Sequence, residues 1–380
     1  MPHIYLDYNS TTPLCSEALT AMQQFMQQRT GNASSLHWAG QETRAVLDRA
    51  RQQVAQFIGA EAREVVFTSG ATESINTVLK GVFPPVRRGK HHLVVSAVEH
   101  AATLEAAETL RTWGVSVSVV PVDHLGRIDP EQVSAALHED TGLVSILWAN
   151  NEIGNIYPVA EIVRRCHERG VLVHLDAAQA VGKLPVAVND VAADFLSFSA
   201  HKIYGPEGVG ALYMREGRKL SRLHDGGSQE RNHRGGTENV AGIVGFGAAC
   251  EVAGQRLSDD QARQRRLLTR LEQGIRTLFP TVIIHGDPHD RLHNTLNIRL
   301  PGLASEALLI ALDLEGIAVS AGSACASGAI EPSHVLMAMG VAADAAKSAI
   351  RFSLGRQTKQ EDIDYVLETL PRVVQQLKAA

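Results

Sequence analysis

The chain has 380 residues, 44% hydrophobic and 20% charged, with a formal net charge of −5; this is more than one core usually serves, so two domains are expected. The mild acidity gives no electrostatic case for nucleic acid or an anionic membrane as the main partner, and no run approaches the ~20 apolar residues of a membrane span. The opening MPHIYLDYNSTTP lacks the basic-then-apolar pattern of a secretory signal, and Cys15, Cys166, Cys250 and Cys325 show neither disulfide nor zinc spacing, so a reducing cytoplasm is the expected setting.

Helices are expected at Ser16–Gln28 and 41–58, with the polar loop 31–37 between them. Strands at 64–68, 92–98, 115–122, 143–149, 171–175, 195–199 and 209–214 then alternate with helical segments at 72–82, 101–113, 129–138 and 158–169. This alternation predicts an α/β fold, with a large domain over residues 13–256 built on a seven-stranded, mainly parallel sheet flanked by helices. The link from Lys202 to Val209 is too short for a crossover helix, so the seventh strand is expected to be antiparallel. Residues 225–247 are rich in glycine and read either as a segment that approaches a phosphate or a neighbouring subunit, or as a flexible surface loop. A charged helix at 258–278 opens a smaller α/β domain of residues 257–380. Its strands are expected at 282–285, 295–300, 317–320 and 349–354 and its helices at 305–315 and 359–378, with residues 1–12 packed on it.

The chemistry gathers at strand ends. The run at 171–175 delivers Asp176 and Gln179, and the run at 195–199 delivers Ser199, His201 and Lys202. Ligands bind at the carboxyl ends of strands in open α/β sheets. A lysine and an aspartate arriving together suit pyridoxal phosphate, the lysine for the aldehyde and the aspartate for the pyridinium nitrogen; the plainer reading of Lys202 is a surface lysine in a loop. VVFTSGATES runs from strand through a glycine turn into a helix, so Ser69 and Thr72 either help form an anion site or merely cap the helix. His100 ends a strand and either stacks on a flat ring or serves as a capping or core residue. Cys325 stands among small residues in SAGSACASGAI, has nothing to pack against, and reads as a reactive thiol.

YLDYNSTTP, TSGATES, EH, NNEIG, HLDAAQ, SFSAHKIYGPEGVG, RGGTENV, SAGSACASG…EPS and IRFSLGR, in this order and spacing, resemble cysteine desulfurases of the NifS/IscS type. These are in the class V aminotransferase group of fold-type I pyridoxal phosphate enzymes. The resemblance implies that Lys202 is the Schiff-base lysine, Asp176 the pyridinium partner, Gln179 and Asn151 contacts to ring oxygens, and His100 a stacking group and proton carrier. Ala71, Thr72, Ser199 and His201 would hold the phosphate, and Thr237 would reach the phosphate of the other subunit in a homodimer. Asn32 and Arg351 would receive the substrate carboxylate, and Cys325, on the smaller domain, would accept sulfur.

The implied reaction turns L-cysteine into L-alanine and leaves a persulfide on Cys325, to be passed to an acceptor protein for iron–sulfur cluster assembly or another sulfur-containing product. No resident metal is implied, beyond a transient iron–sulfur cluster that Cys325 would share with a scaffold. The sequence departs from the family pattern in SAGSAC for SSGSAC, STTP for ATTP and the atypical DGGSQERNH. It also ends at QQLKAA, without the longer tail by which general housekeeping members hold a scaffold, which leaves the acceptor open. A selenocysteine lyase or another class V aminotransferase would share everything but Cys325 and its loop. An idle docking subunit would not need the amine, carboxylate and thiol together, and a Cys–His hydrolase would leave Lys202 and Asp176 unexplained.

Overall fold

The computed structural model describes residues 3–85, 89–321 and 331–379, so Cys325 lies outside the described residues. The N-terminal strand β1 (Ile4–Tyr5) is followed by β2 (Val65–Thr68), β3 (His92–Ser96), β4 (Ser116–Val120), β5 (Thr141–Leu147), β6 (Leu172–Asp176), β7 (Phe195–Ser199) and β8 (Gly210–Met214). The last seven form one sheet in the order β2-β8-β7-β6-β5-β3-β4. The pairs β3–β4, β3–β5, β5–β6 and β6–β7 are parallel. Strand β8 runs against both of its neighbours, as the short link after Lys202 requires.

The central strands are apolar on both faces because helices cover both. Leu93, Val95, Leu143, Phe195 and Leu212 face one core, shared with the helices Ala71–Val82 and Ala101–Thr112. Val94, Val144, Val173, Leu196 and Ala211 face the other, shared with Trp38–Phe57, Val159–His167 and the start of a long helix, Val240–Leu278.

That long helix corrects the expectation for residues 225–247. It begins at Val240, inside the stretch read as a glycine-rich loop. The glycines there serve close packing. A Cβ on Gly247 would lie 2.4 Å from Gln53 Oε1 and 3.0 Å from Ala50 Cα, on the neighbouring helix Trp38–Phe57.

The same helix carries Leu267, Leu268, Leu271 and Ile275 into a separate core with Ile4, Leu6, Ile298, Phe352, Ile363 and Leu370. Here β9 (Ile283–His285), β10 (Thr295–Arg299) and β12 (Ala349–Ser353) form an antiparallel sheet, and β11 (Ile317–Ala318) pairs in parallel with β1. The N-terminal segment thus packs where it was expected, and Asp7 continues the pairing against Ser353. Val335, Leu336 and Met339 join the core of the large sheet.

Candidate active site

A cavity of about 340 Å³ opens where the carboxyl ends of the central strands meet the N-terminal segment, within the ~300–1,000 Å³ usual for small-molecule sites. Strands β6 and β7 are neighbours, so Asp176 and Lys202 reach it side by side. Asp176 is buried, and its Oδ1 accepts the Ala178 N–H at 3.0 Å. Burial pushes its carboxyl up, opposed by the charges of His100 and Lys202. Lys202 donates to the carbonyls of Asn9 at 2.7 Å and Ser10 at 2.6 Å. Burial, aided by the charge of Arg351, pulls its amine down to about 8.

The anion end is built by local sequence. Helix Ala71–Val82 starts straight after the Ser69-Gly70 turn, and its first N–H groups have no helical partners. Ser199 Oγ, at the end of β7, accepts the Ala71 N–H at 2.7 Å and draws the two elements together. The approach requires glycine on the adjacent strand: a Cβ at Gly210 would sit 2.6 Å from Gly70 Cα. Thr72 and His201 line the same end. Burial, then the charge of Lys202, takes His201 down to about 4, so its ring is neutral beside Thr11 Oγ1 at 3.0 Å. Ser69 does not reach the cavity. Nor does its hydroxyl cap the helix: the N-cap is Gly70 without a side-chain cap bond, and the Ser69 N–H donates to Glu73 Oε2 at 2.8 Å.

His100 is a cap that also borders the cavity. Its Nδ1 caps the helix Ala101–Thr112 by accepting the Ala102 N–H at 3.1 Å, while the ring lines the cavity. With Nδ1 accepting, the neutral ring carries its proton on Nε2. Arg351 comes from β12 and crosses to the cavity, donating to Asn151 O at 3.0 Å, Ser10 Oγ at 2.9 Å and Asp7 Oδ1 at 2.5 Å. Its Nε is buried without a partner among the described residues. Gln179 and Asn151 complete the predicted residues found here.

Two predicted residues lie elsewhere. Asn32 sits in the exposed 31–37 loop, where its Oδ1 accepts the Ser34 N–H at 2.8 Å. Thr237 lines a separate cavity of about 160 Å³ with Ser69, Glu230 and Arg234.

Sequence reasoning missed Asp7, Asn9, Ser10 and Lys183. Asn9 has every polar group engaged. Its carbonyl takes Lys202 and Gln179, its Oδ1 takes Lys183 and Asn294, its Nδ2 reaches Asn151 and Thr295, and its N–H reaches Ser353. Nothing local in DYNST signals this. Lys183, a charged residue set in the apolar run AVGKLPVAV, was the one detectable signal.

Two basic side chains, Lys202 and Arg351, line the cavity against one carboxylate, Asp176. That surplus suits an anionic ligand. The unpartnered Arg351 Nε can take a carboxylate, the helix start can take a phosphate, and Asp176, whose Oδ2 accepts no hydrogen bond from the described residues, can take a protonated ring nitrogen. These residues therefore fit a phosphorylated pyridine with an amino-acid substrate. No group of three or more metal-ligating side chains occurs among the described residues.

The model of the family "Aminotransferase class-V" matches residues 4–366. Among similar curated proteins, "Cysteine desulfurase" of Cereibacter sphaeroides is 48% identical over 100% of this chain and 97% of its own length. "Cysteine desulfurase IscS" of Dictyoglomus turgidum is 45% identical over 99% of this chain and 95% of its own. Among solved structures, a "NifS-like protein" superposes with a TM-score of 0.93 at 37% identity, covering 99% of this chain and 100% of its own. One titled "SspA in complex with cysteine" gives 0.81 at 31% identity, covering 93% and 99%.

Proposed function

Because the chain belongs to the class V aminotransferase family, and within it to the cysteine desulfurases, we infer that it takes sulfur from L-cysteine with pyridoxal phosphate as its cofactor. The observation that carries this is the joint placement of Lys202, Asp176 and Arg351 around one cavity. The bound cofactor supplies an electron sink for the carbanion formed at the substrate Cα. The guanidinium of Arg351 holds the substrate carboxylate, and Asp176 keeps the ring nitrogen protonated. Lys202, freed as an amine, takes the Cα proton, and His100 carries a proton at Nε2 near the reacting sulfurs.

Cys325 then attacks the substrate sulfur, whose bond to Cβ breaks. L-Cysteine plus the Cys325 thiol become L-alanine plus a Cys325 persulfide. Acceptors of that sulfur in iron–sulfur cluster assembly, and a cytoplasmic setting, belong to the same proposal; Cys15, Cys166 and Cys250 are free thiols. No helix among the described residues is long and apolar enough to cross a membrane. The large sheet with the cores on its two faces is proposed to belong to a cofactor-holding domain, 13–256, and the separate third core to a smaller domain of 1–12 and 257–380.

A homodimer is also proposed. Thr237 and Asn32 lie off the cavity of their own chain, and Met26, Leu36 and Trp38 leave 58%, 91% and 73% of their surface exposed within a dozen residues, a concentration that favours a covering partner.

Mass spectrometry after L-cysteine treatment tests the reading. A reductant-labile added sulfur is expected on the Cys325 peptide, and Cys325→Ser should keep the visible cofactor band but form no alanine. Wild-type alanine production by that variant would favour the lyase or aminotransferase reading instead.

A further inference from the structure

A second lysine sits directly behind the cavity wall. Lys183 donates to Asn9 Oδ1 at 2.8 Å and to Gln179 Oε1. It does not itself line the cavity, whereas Lys202 and Gln179 do. Its turn is fixed from two sides. Gln261 Nε2, on the long helix, donates to the Lys183 carbonyl at 2.6 Å. Gly182 has φ +79°, and a Cβ there would lie 2.4 Å from Ile203 Cγ2, one residue beyond Lys202. Only glycine allows the turn of Lys183 to press this closely on the turn of Lys202.

The contact to Gln179 decides which way its amide faces. A lysine amine donates, so it can meet only the carbonyl end; an N–H2 group turned toward it would leave donor facing donor. With Oε1 fixed on Lys183, Nε2 gives one hydrogen to Asn9 O at 2.9 Å. The second hydrogen has no partner among the described residues, on a side chain that lines the cavity. The amide therefore offers the cavity a donor and withholds its acceptor.

We propose that Lys183 is a positioning residue that locks the Gln179 amide with its N–H side toward the cavity, where it donates to an anionic ring oxygen of the cofactor. This deepens the pyridoxal phosphate reading and rests on it. A donor at such an oxygen favours the form of the cofactor in which that oxygen carries the negative charge. Either protonation state of Lys183 serves, since a neutral amine still has two N–H donors for its two acceptors. Burial and the charges of Lys202 and Arg351 do hold this amine well below the ordinary lysine range.

The test is a pH titration of the visible cofactor band in the holoenzyme. Lys183→Met removes one of the two partners that orient the Gln179 amide, leaving only Asn9 O, and the midpoint is expected to rise by about one unit, equivalent to about 1.4 kcal/mol. Lys183→Gln keeps an N–H donor for Oε1 and should titrate like wild type. Gln179→Met should raise the midpoint by a similar amount, and adding Lys183→Met to it should give no further shift, since both act through one amide. Should Lys183→Met fail to fold, Lys183→Glu offers the amide only acceptors and is expected to move the midpoint upward in the same way. An unmoved midpoint in folded Lys183→Met or Lys183→Glu, or shifts that add in the double variant, would overturn the proposal. Absence of any visible band in the wild-type protein with pyridoxal phosphate would instead refute the cofactor reading beneath it.

Discussion

Exchanging Glu230 for glutamine measures how firmly the glycine-rich segment braces the anion end of the cavity. The Glu230 carboxylate takes both fork donors of Arg51, at 2.6 and 2.7 Å, and the Phe67 N–H at 2.8 Å. The two side chains are 7% and 2% exposed. Glutamine keeps the shape but carries no charge and turns an N–H2 group toward an Arg51 donor in either orientation. It leaves a buried guanidinium without its counter-charge, for which ~3–5 kcal/mol is typical. The backbone of Glu230 lies at φ +45°; that strain is common to both side chains, so the loss reports on the pair. The control is Glu315→Gln, whose partner Arg372 is 53% exposed; a pair of that kind contributes about 0–1 kcal/mol. Denaturant unfolding of both variants at neutral pH should separate them by several-fold. Phe67 lies two residues before Ser69, so Glu230→Gln should also lose cofactor faster on dialysis. A Glu230→Gln loss no larger than that of the control would refute the reasoning.

Three further outcomes are expected. Since the Lys202 amine is held near 8, about a tenth of it is neutral at pH 7, against less than one part in a thousand for an ordinary lysine. Cofactor capture by the apoprotein should therefore accelerate with a midpoint near pH 8 and vanish in Lys202→Ala; a midpoint near 10 would contradict this. Arg351→Lys replaces a fork by a point charge and should raise KM for L-cysteine by about 10–100-fold with a smaller change in kcat, so an unchanged KM would remove Arg351 from carboxylate binding. Burial lifts Glu99 to about 8 from an ordinary 4.5. The folded state then binds the extra proton between those values, and wild-type stability should fall relative to Glu99→Gln as pH rises from about 4.5 to 8, which pH-dependent denaturation reads directly; parallel profiles for the two proteins would count against a raised Glu99.

The features visible in the sequence are those that local order controls. Asp176 and Lys202 each come directly after an apolar run, and a strand sets the residues just past its carboxyl end at the sheet edge. The glycine turn before Ala71 leads from strand to helix within a few residues, so the anion end was also legible. What the sequence hid depends on contacts across the chain. Asn9 and Ser10 reach the cavity, and Asp7 reaches Arg351, because the two-residue β1 pairs with β11, some three hundred residues away, and no local pattern encodes that pairing. The glycines around Glu230 left open both a close approach to a phosphate or subunit and a flexible loop, yet the left-handed backbone there falls on Glu230, Arg231 and Asn232, where side-chain bonds to β2 hold it. The early start of the long helix was missed because glycine in a helix can mean either a break or a close neighbour, and only the packing tells which.

Asn9 has one more consequence, for biosynthesis. It leaves the ribosome among the first residues, but its partners Asn294, Thr295 and Ser353 lie 285, 286 and 344 residues downstream. Until they emerge, Asn9, whose carbonyl anchors Lys202, is held only from the side of the large sheet, by Asn151, Gln179 and Lys183. A nascent chain halted before β10 should thus possess the lysine and the aspartate and still lack the mature environment for them, making full cofactor loading a step that comes only after completion of the polypeptide.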